Sequence, residues 1–517
     1  MRGPASAFGI DFGTTNTRVA FYDGTHVRMV QFETSAGLLV QYPTLISYQS
    51  GEPVAFGPEA KEQSAGTLFG QPIKWILDQD VPLEVEGGKQ EPVEIVAAFL
   101  KNLRALAEKT LRGKELNQAA VTIPVHYSPK ARMRLEEAFE QAGIKVTHFF
   151  FEPIAAIYSS LLTEPVAGPV AVFDWGGGSL DIASVQIRDG IALTRQVDGW
   201  HRGGTNFDDL ICSQAIDDYL STNPNDGLTT ETVLKRMKHG KGLRLRAEAA
   251  KVQLSRLQET SITHGSFLGG ANLEYRMTRQ EFDELIAPDV TGGIARLMHV
   301  LNASGVTPKV LARLYLSGGT CNIPVVRNRL ETEITGKITS SLKLPAQLKG
   351  RATTVGLEDI GNATAIGAAL LAVHGAEPVF ASSVGVRIAE SSGDRFVPVF
   401  EKGKDVCFQA KDKQFFVSDA SSGVARLLIC DDDDSTPKPG GRLLRVIPVP
   451  IDKDENWIDV HFSVDRHLVL KVNAAGRKNL RNNPFGKITW PQEAAWIQQL
   501  NLGFRVPAFA ANAVESS

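Results

Sequence analysis

The chain has 517 residues and a formal net charge of −3; 43% of its residues are hydrophobic and 22% charged. That length exceeds what one hydrophobic core serves, so two or more domains are expected. The near-neutral charge gives no electrostatic case for nucleic acid or an anionic membrane as partner, and Cys212, Cys321, Cys407 and Cys430 are too scattered for a disulfide framework or a structural zinc site.

The N-terminus, "MRGPASAFGIDFG", lacks the apolar core and cleavage site of a signal peptide. The best membrane-span candidate, Ile360 to Ala376, is short and contains Asn362, Thr364 and His374, which predicts a buried helix. A cytoplasmic location is the expectation. In chain order, the first informative feature is a weak internal repeat. Phe8 to Gly24, "FGIDFGTTNTRVAFYDG", and Val172 to Gly190, "VFDWGGGSLDIASVQIRDG", share one plan. An apolar strand ends in Asp11 or Asp174, a glycine-rich turn carries hydroxyls (Thr14 and Thr15, or Ser179), and a second strand closes in an Asp-Gly turn. Each copy reads as a β-hairpin, and two copies predict two related lobes facing each other.

Strands and helices alternate around these hairpins, the mark of an α/β fold. "AAVTIPVHY" predicts a strand, and "SPKARMRLEEAFEQAG" a helix opened by Pro129 and stopped by Gly143. "VLARLYLSGG" predicts a strand running into a Gly-Gly turn, with a helix from about Pro324; "NATAIGAALLAVHG" is a last apolar helix. The run Leu234 to Arg246, rich in Lys and Arg, reads as the polar face of a helix.

Helical periodicity ends after Gly375. "WIDVHFSV" and "HLVLKV" alternate with period two, placing Ile458, Val460, Phe462 and Val464, then Leu468, Leu470 and Val472, on one face. "RFVPVF", "KQFFVS" and "ARLLIC" are further short strands. The acidic run Asp431 to Gly441 reads as a solvated loop. The expected division is 1–376, a linker at 377–383, a β-sandwich-like domain at 384–475, and a tail at 476–517 whose "PQEAAWIQQL" is a short helical stretch.

Glycine-rich turns let backbone N–H groups point into one concavity and let a phosphate come close. Carboxylates beside such turns make sense if a hydrated magnesium ion lies between them and the phosphates. Gly203–Gly204 and Gly318–Gly319 add two more such turns. No GxxxxGK[ST] motif occurs, so this is not a P-loop chain.

In this order the motifs resemble those of the heat shock protein 70 chaperones. "GIDFGTTNT" resembles the family's first phosphate motif and "VFDWGGGSLDIA" its second. "VTIPVHYSPKARMRLEEAFEQAGI" followed by "FFEPIAAIYS" resembles its connecting segment. "RAEAAKVQLS" and "LYLSGGTCNIPVV" resemble its nucleoside-contacting motifs. The similarity runs from about 7 to 376.

It implies a two-lobed, actin-like α/β ATPase domain followed by a small all-β sandwich-like domain. Lys74 would orient the attacking water, with Glu152, Asp174 and Ser179 as further catalytic positions. Asp11, Asp174 and Asp181 would hold magnesium, mainly through water, with potassium a further candidate ion. ATP or ADP would be bound by Gly13, Thr14, Thr15, Asn16, Gly176, Gly177, Gly178, Gly203, Gly204, Glu248, Lys251, Ser255, Gly318, Gly319, Thr320 and Asn322. Glu248, Lys251 and Ser255, at i, i+3 and i+7, would share one helix face. Pro124 and Arg132 match a pair that relays nucleotide state. The implied partners are client polypeptides, a J-domain co-chaperone and a nucleotide-exchange factor.

The chain also departs from the family. Asn322 stands where the family has an arginine that stacks on adenine, and Gly361 replaces an aspartate near the base. The linker offers only Val379 and Phe380, and the family's long helical lid is missing. A lidless β-domain is expected to release peptides fast. The expected function is an ATP-hydrolysing, chaperone-like protein; the alternative is a nucleotide-regulated protein of low ATPase activity holding one dedicated partner.

Overall fold

The computed structural model describes residues 6–62, 67–68, 73–111, 113–125, 127–163, 166–188, 191–223, 227–236, 242–334, 338–339, 360–390, 393–406, 409–418, 420–432, 441–477, 481–482, 488–489, 495–497, 500 and 502–505. By contacts the chain divides into two units: residues 1–184 with 196–374, and residues 185–195 with 375–517.

In the first unit, β1 (Ala7–Phe12) and β2 (Asn16–Tyr22) form a hairpin, and β3 (Val27–Met29) extends it antiparallel. On the other side of β1, β4 (Gln118–Ile123) and β5 (Lys145–Phe151) run parallel to it, giving the order β5-β4-β1-β2-β3. Parallel neighbours need a crossover. Helix α1 (Pro92–Thr110) leads into β4, and α2 (Pro129–Gln141) joins β4 to β5. The ends of α2 follow from its sequence. Ser128 Oγ accepts the Ala131 N–H at 3.0 Å, Pro129 opens the first turn, and Gly143 takes φ +76° beyond the last.

Helix α3 (Glu152–Thr163) leads toward a second sheet of β6 (Gly168–Trp175), β7 (Leu180–Arg188), β8 (Ile191–Trp200), β9 (Arg313–Ser317) and β10 (Ile338–Thr339). Its order is β10-β9-β6-β7-β8, with β9 parallel to both β6 and β10. The two sheets therefore repeat one arrangement: a hairpin, one more strand beyond it, and two parallel strands on the other flank. The internal repeat is a duplication of this unit. The Asp23–Gly24 turn of the first copy is formed, with Asp23 Oδ1 accepting the Thr25 and His26 amides; Asp189–Gly190 lies outside the described residues.

Further helices of this unit include α4 (Gly204–Thr222), α5 (Gly242–Leu254), α6 (Arg279–Ala303), α7 (Pro324–Glu333) and α8 (Ala363–Val373). The expected buried helix is α8, with Ala363 to Ala372 all buried. It comes so close to β1 and α3 that a Cβ on Gly9 would stand 2.2 Å from the Ala365 carbonyl oxygen, and one on Gly367 1.7 Å from that of Ala155. Among the described residues no helix is long and apolar enough to cross a membrane.

The described secondary structure of the second unit is all strand. β11 (Glu377–Phe380) is followed by β12 (Ser383–Glu390), β13 (Gly393–Phe400), β14 (Gln409–Phe416), β15 (Val424–Asp432), β16 (Arg442–Pro450), β17 (Trp457–Val464), β18 (Leu470–Gly476), β19 (Ala495–Ile497) and β20 (Leu502–Arg505). Two four-stranded sheets have the orders β13-β12-β15-β16 and β14-β17-β18-β19. Ile458, Val460, Phe462 and Val464 are all buried, as the period-two pattern requires. Leu468 belongs to the turn before β18 rather than to the strand, at φ +59°. The 191–193 end of β8 pairs with β20, whose other edge pairs with β11.

The stretch 377–383 contains a strand, Glu377–Phe380, with Val379 and Phe380 buried. Two local expectations are corrected. Within "PQEAAWIQQL" the described Ala495–Ile497 is a strand on β18, not helix, because β18 offers an open edge there. The acidic run is not wholly solvated. Asp431 and Asp432 end β15, and Asp431 is buried against Arg442, with Nη2 to Oδ2 at 2.5 Å. Residues 433–440 lie outside the described residues.

Candidate functional site

The two hairpin tips of the first unit meet. A Cβ on Gly177 would lie 1.9 Å from Thr15 Oγ1, one on Gly178 2.4 Å from Thr14 Cγ2, and one on Gly203 2.7 Å from the Gly176 oxygen. Only residues without side chains allow this approach. The loop carbonyls are bonded from behind. Gly204 N–H donates to the Gly176 oxygen (3.1 Å), Thr205 N–H to that of Gly177 (2.7 Å), and Thr320 Oγ1 to that of Gly176 (2.8 Å). Among the described residues the Gly177 and Gly178 amides have no acceptor. Thr15 Oγ1 is buried without a hydrogen-bond partner. Donors in this state suit an anion.

Strand ends deliver the charges. Asp11 closes β1, 3.7 Å from Arg18 and 3.4 Å from Thr122 Oγ1. Asp174 lies near the end of β6, and Asp181 is buried near the start of β7. Asp181 accepts Ser179 Oγ at 3.0 Å and the Val125 amide at 3.4 Å, which ties the two lobes together. Lys74 is buried, its Nζ 2.5 Å from Glu152 Oε1 at the start of α3.

Burial pushes the Glu152 carboxyl up to about 7; Lys74 opposes the shift, and the Asp181 and Asp11 charges add to it. Burial, then the charges of Glu152, Asp181 and Asp11, drive Asp174 well above the carboxylate range. Burial raises Asp11 too, against Arg18 and Lys74. Asp11, Glu152, Asp174 and Asp181 thus repel one another with Lys74 as their central countercharge, an arrangement that a divalent cation relieves. Among the described residues no three His, Cys, Asp or Glu side chains converge closely enough to ligate a metal directly. A cation held through its waters fits this carboxylate set.

On α5, Lys251 Nζ lies 2.7 Å from Asp208 Oδ1 and donates to the Gly204 oxygen at 2.8 Å. Glu248 and Lys251 are on α5, but Ser255 is not, because the helix ends at Leu254; Ser255 Oγ donates back to the Lys251 oxygen at 3.3 Å. Gly318 takes φ +81°, and a Cβ there would stand 2.7 Å from Asp174 Oδ1, so this turn lies against the carboxylates. Gly319 and Asn322 are exposed at either end of a short 3₁₀ turn. Gly13, Thr14 and Asn16 are half-buried around the first tip.

Sequence reasoning missed three residues. Asp208 is buried, and burial raises its carboxyl to about 6 despite Lys251; its signal was the "GGTNFDD" turn. Arg18 faces Asp11 across the β1–β2 ladder, with no motif to mark it. Tyr127 donates to the Lys74 carbonyl.

Paired glycine tips over a carboxylate cluster with one central lysine form a cleft suited to an anion in a duplicated α/β unit. The family profile described as Hsp70 protein matches residues 73–343, just over half of the chain. The chain therefore belongs to the Hsp70 family. Members of this family are ATPases with an actin-like nucleotide-binding fold that act as chaperones and use ATP or ADP with magnesium.

Proposed function

We propose that the first unit binds and hydrolyses ATP and that the second binds polypeptide segments, making the chain a chaperone-like ATPase. The assigned nucleotide-binding region is 1–376, the linker 377–383 and the polypeptide-binding region 384–475. The observation that carries the reading is the convergence of the Lys74–Glu152 pair and three aspartates on two touching glycine tips.

Phosphoryl transfer to water needs positioning and charge neutralisation rather than a covalent nucleophile. Gly13 to Asn16 and Gly176 to Gly178 offer fixed amide and hydroxyl donors to the phosphates. Glu152 holds the Lys74 ammonium beside them, and Lys74 orients the attacking water. Asp11, Asp174 and Asp181 would hold magnesium through its waters, and the ion would supply positive charge to the phosphate oxygens. Ser179 Oγ donates to Asp181 at 3.0 Å, and the same hydroxyl can rotate to donate to a phosphate oxygen instead. Glu248, Lys251 and Ser255 flank the nucleoside. The buried, unpaired thiols of Cys212, Cys321 and Cys430 support a reducing, cytoplasmic setting. The exposed Asn322 favours a second reading, slow turnover on one dedicated partner, because an amide does not stack on adenine as a guanidinium does.

The test is single-turnover ATP hydrolysis by Lys74→Ala and Asp174→Asn. Each is expected to lose roughly a hundredfold or more in rate. Wild-type rates in both would overturn the reading. Stimulation of the wild-type rate by an unfolded model peptide separates the chaperone from the dedicated-partner reading.

A further inference from the structure

Lys74 sits on a segment that joins no sheet: Ile73 and Lys74 lead into a single 3₁₀ turn, Trp75–Asp78. A long ammonium side chain is only as well placed as its own backbone. Several of the residues that hold this backbone come from 127–134. Tyr127 Oη donates to the Lys74 carbonyl at 2.7 Å, and the Trp75 indole stands edge-on to the Tyr127 ring, centroids 5.7 Å apart. Further along, Ser128 Oγ donates to Asp78, Lys130 pairs with Asp80, and Arg134 Nη1 donates to the Leu77 oxygen at 3.0 Å and to the Gln79 oxygen at 2.5 Å.

Tyr127 is itself immobilised. It is fully buried, its N–H donates to the Pro124 oxygen at 3.2 Å, and the buried Arg132 donates Nε–H to the Tyr127 carbonyl at 2.9 Å. Burial, with Asp78 and Glu152 nearby, holds its hydroxyl far above the ordinary phenol range, so it remains a donor at every working pH. Trp75 also meets His201 edge-on at 4.7 Å, just before the Gly203–Gly204 turn of the other lobe.

We propose that Tyr127 is a positioning residue for Lys74, its hydroxyl setting the lysine backbone so that the ammonium meets Glu152 and the reacting phosphate together. The proposal rests on the ATPase reading above. A phenylalanine would keep the ring and the packing on Trp75; only the hydroxyl reaches the Lys74 carbonyl. That makes Tyr127→Phe an atom-sized test.

The experiment uses the full chain and magnesium ATP, with single-turnover rate and nucleotide affinity measured separately. Tyr127→Phe is expected to lose roughly tenfold in rate, with affinity unchanged within about twofold. In a Lys74→Ala background the same change is expected to cost nothing further. A wild-type rate in Tyr127→Phe, or an equal loss with and without Lys74, overturns the proposal. A wild-type rate in Lys74→Ala instead removes the ATPase reading, and the proposal with it, so the two failures are distinct. Should Tyr127→Phe fail to fold, Arg134→Met releases the same segment from its solvent side. A loss of roughly twofold to threefold in rate at unchanged affinity supports the positioning role, and a wild-type rate overturns it.

Discussion

At the scale of single residues the site is under electrostatic load. Burial lifts the Glu152 carboxyl to about 7 from its usual 4.5, so the folded state binds this proton more tightly than the unfolded chain. The sign follows directly: stability contributed by this group is greatest below about 4.5, falls as pH rises, and levels off above about 7. Lys74 is what limits the rise. Replacing it by methionine removes that restraint, so the penalty keeps growing above pH 7, by at most about 1.4 kcal/mol per pH unit. Urea unfolding without nucleotide or metal should show Lys74→Met losing more stability relative to wild type at pH 8.5 than at pH 6. Adding Glu152→Gln should abolish that pH dependence. Equal losses at both pH values would mean that Glu152 is not the group Lys74 restrains. Lys74, Glu152 and the three aspartates were legible because they sit in motifs. Asp431 and Tyr127 were not: the partner of Asp431 lies 11 positions away, and that of Tyr127 53 positions away. Pattern along the chain does not encode such pairings.

At the scale of elements, helices and strands with clear periodicity and end signals were readable: α2 from Ser128, Pro129 and Gly143, and β17 from its alternation. Short segments whose structure is set by a distant edge were not. The stretch around Ala495 fits a helical period, yet β18 captures it as a strand. β20 has only four residues, but it fills the gap between the 191–193 end of β8 and β11, and its Leu502 is buried. Ending the chain at Leu500 should therefore destabilise the second unit by about 3 kcal/mol, through two lost ladders and one buried leucine. It should also speed amide exchange at Glu377–Phe380. Arg505→Ala, which removes an exposed pair with Asp405 and a hydrogen bond to the Gly403 carbonyl, should cost about 1 kcal/mol or less. Denaturant melts of both variants, with hydrogen exchange, check the contrast; similar losses in the two would mean that the ion pair, not the ladders, holds β20.

At the scale of the whole molecule, the duplicated sheet order explains why a sequence repeat of modest similarity carried so much. Each copy must end a strand in a carboxylate and then surrender side chains at its tip, and those demands leave a pattern. The discontinuity of the second unit left none, since nothing in residues 185–195 marks them as belonging with 375–517. A chain cut at 374 therefore separates two things that a linear reading joins. Every candidate site residue, from Asp11 to Asn322, lies within the first unit, so the 1–374 fragment should bind magnesium ATP with an affinity within about threefold of the full chain. Its 191–193 segment, without β20, becomes an unpaired strand edge. Amide exchange there should rise sharply, and the fragment should self-associate more readily than the full chain. Titration calorimetry and hydrogen exchange on the same preparation separate the two effects. A folded fragment whose ATP affinity collapses would show that binding depends on the second unit, whereas unchanged exchange at 191–193 would show that β20 does not protect that edge.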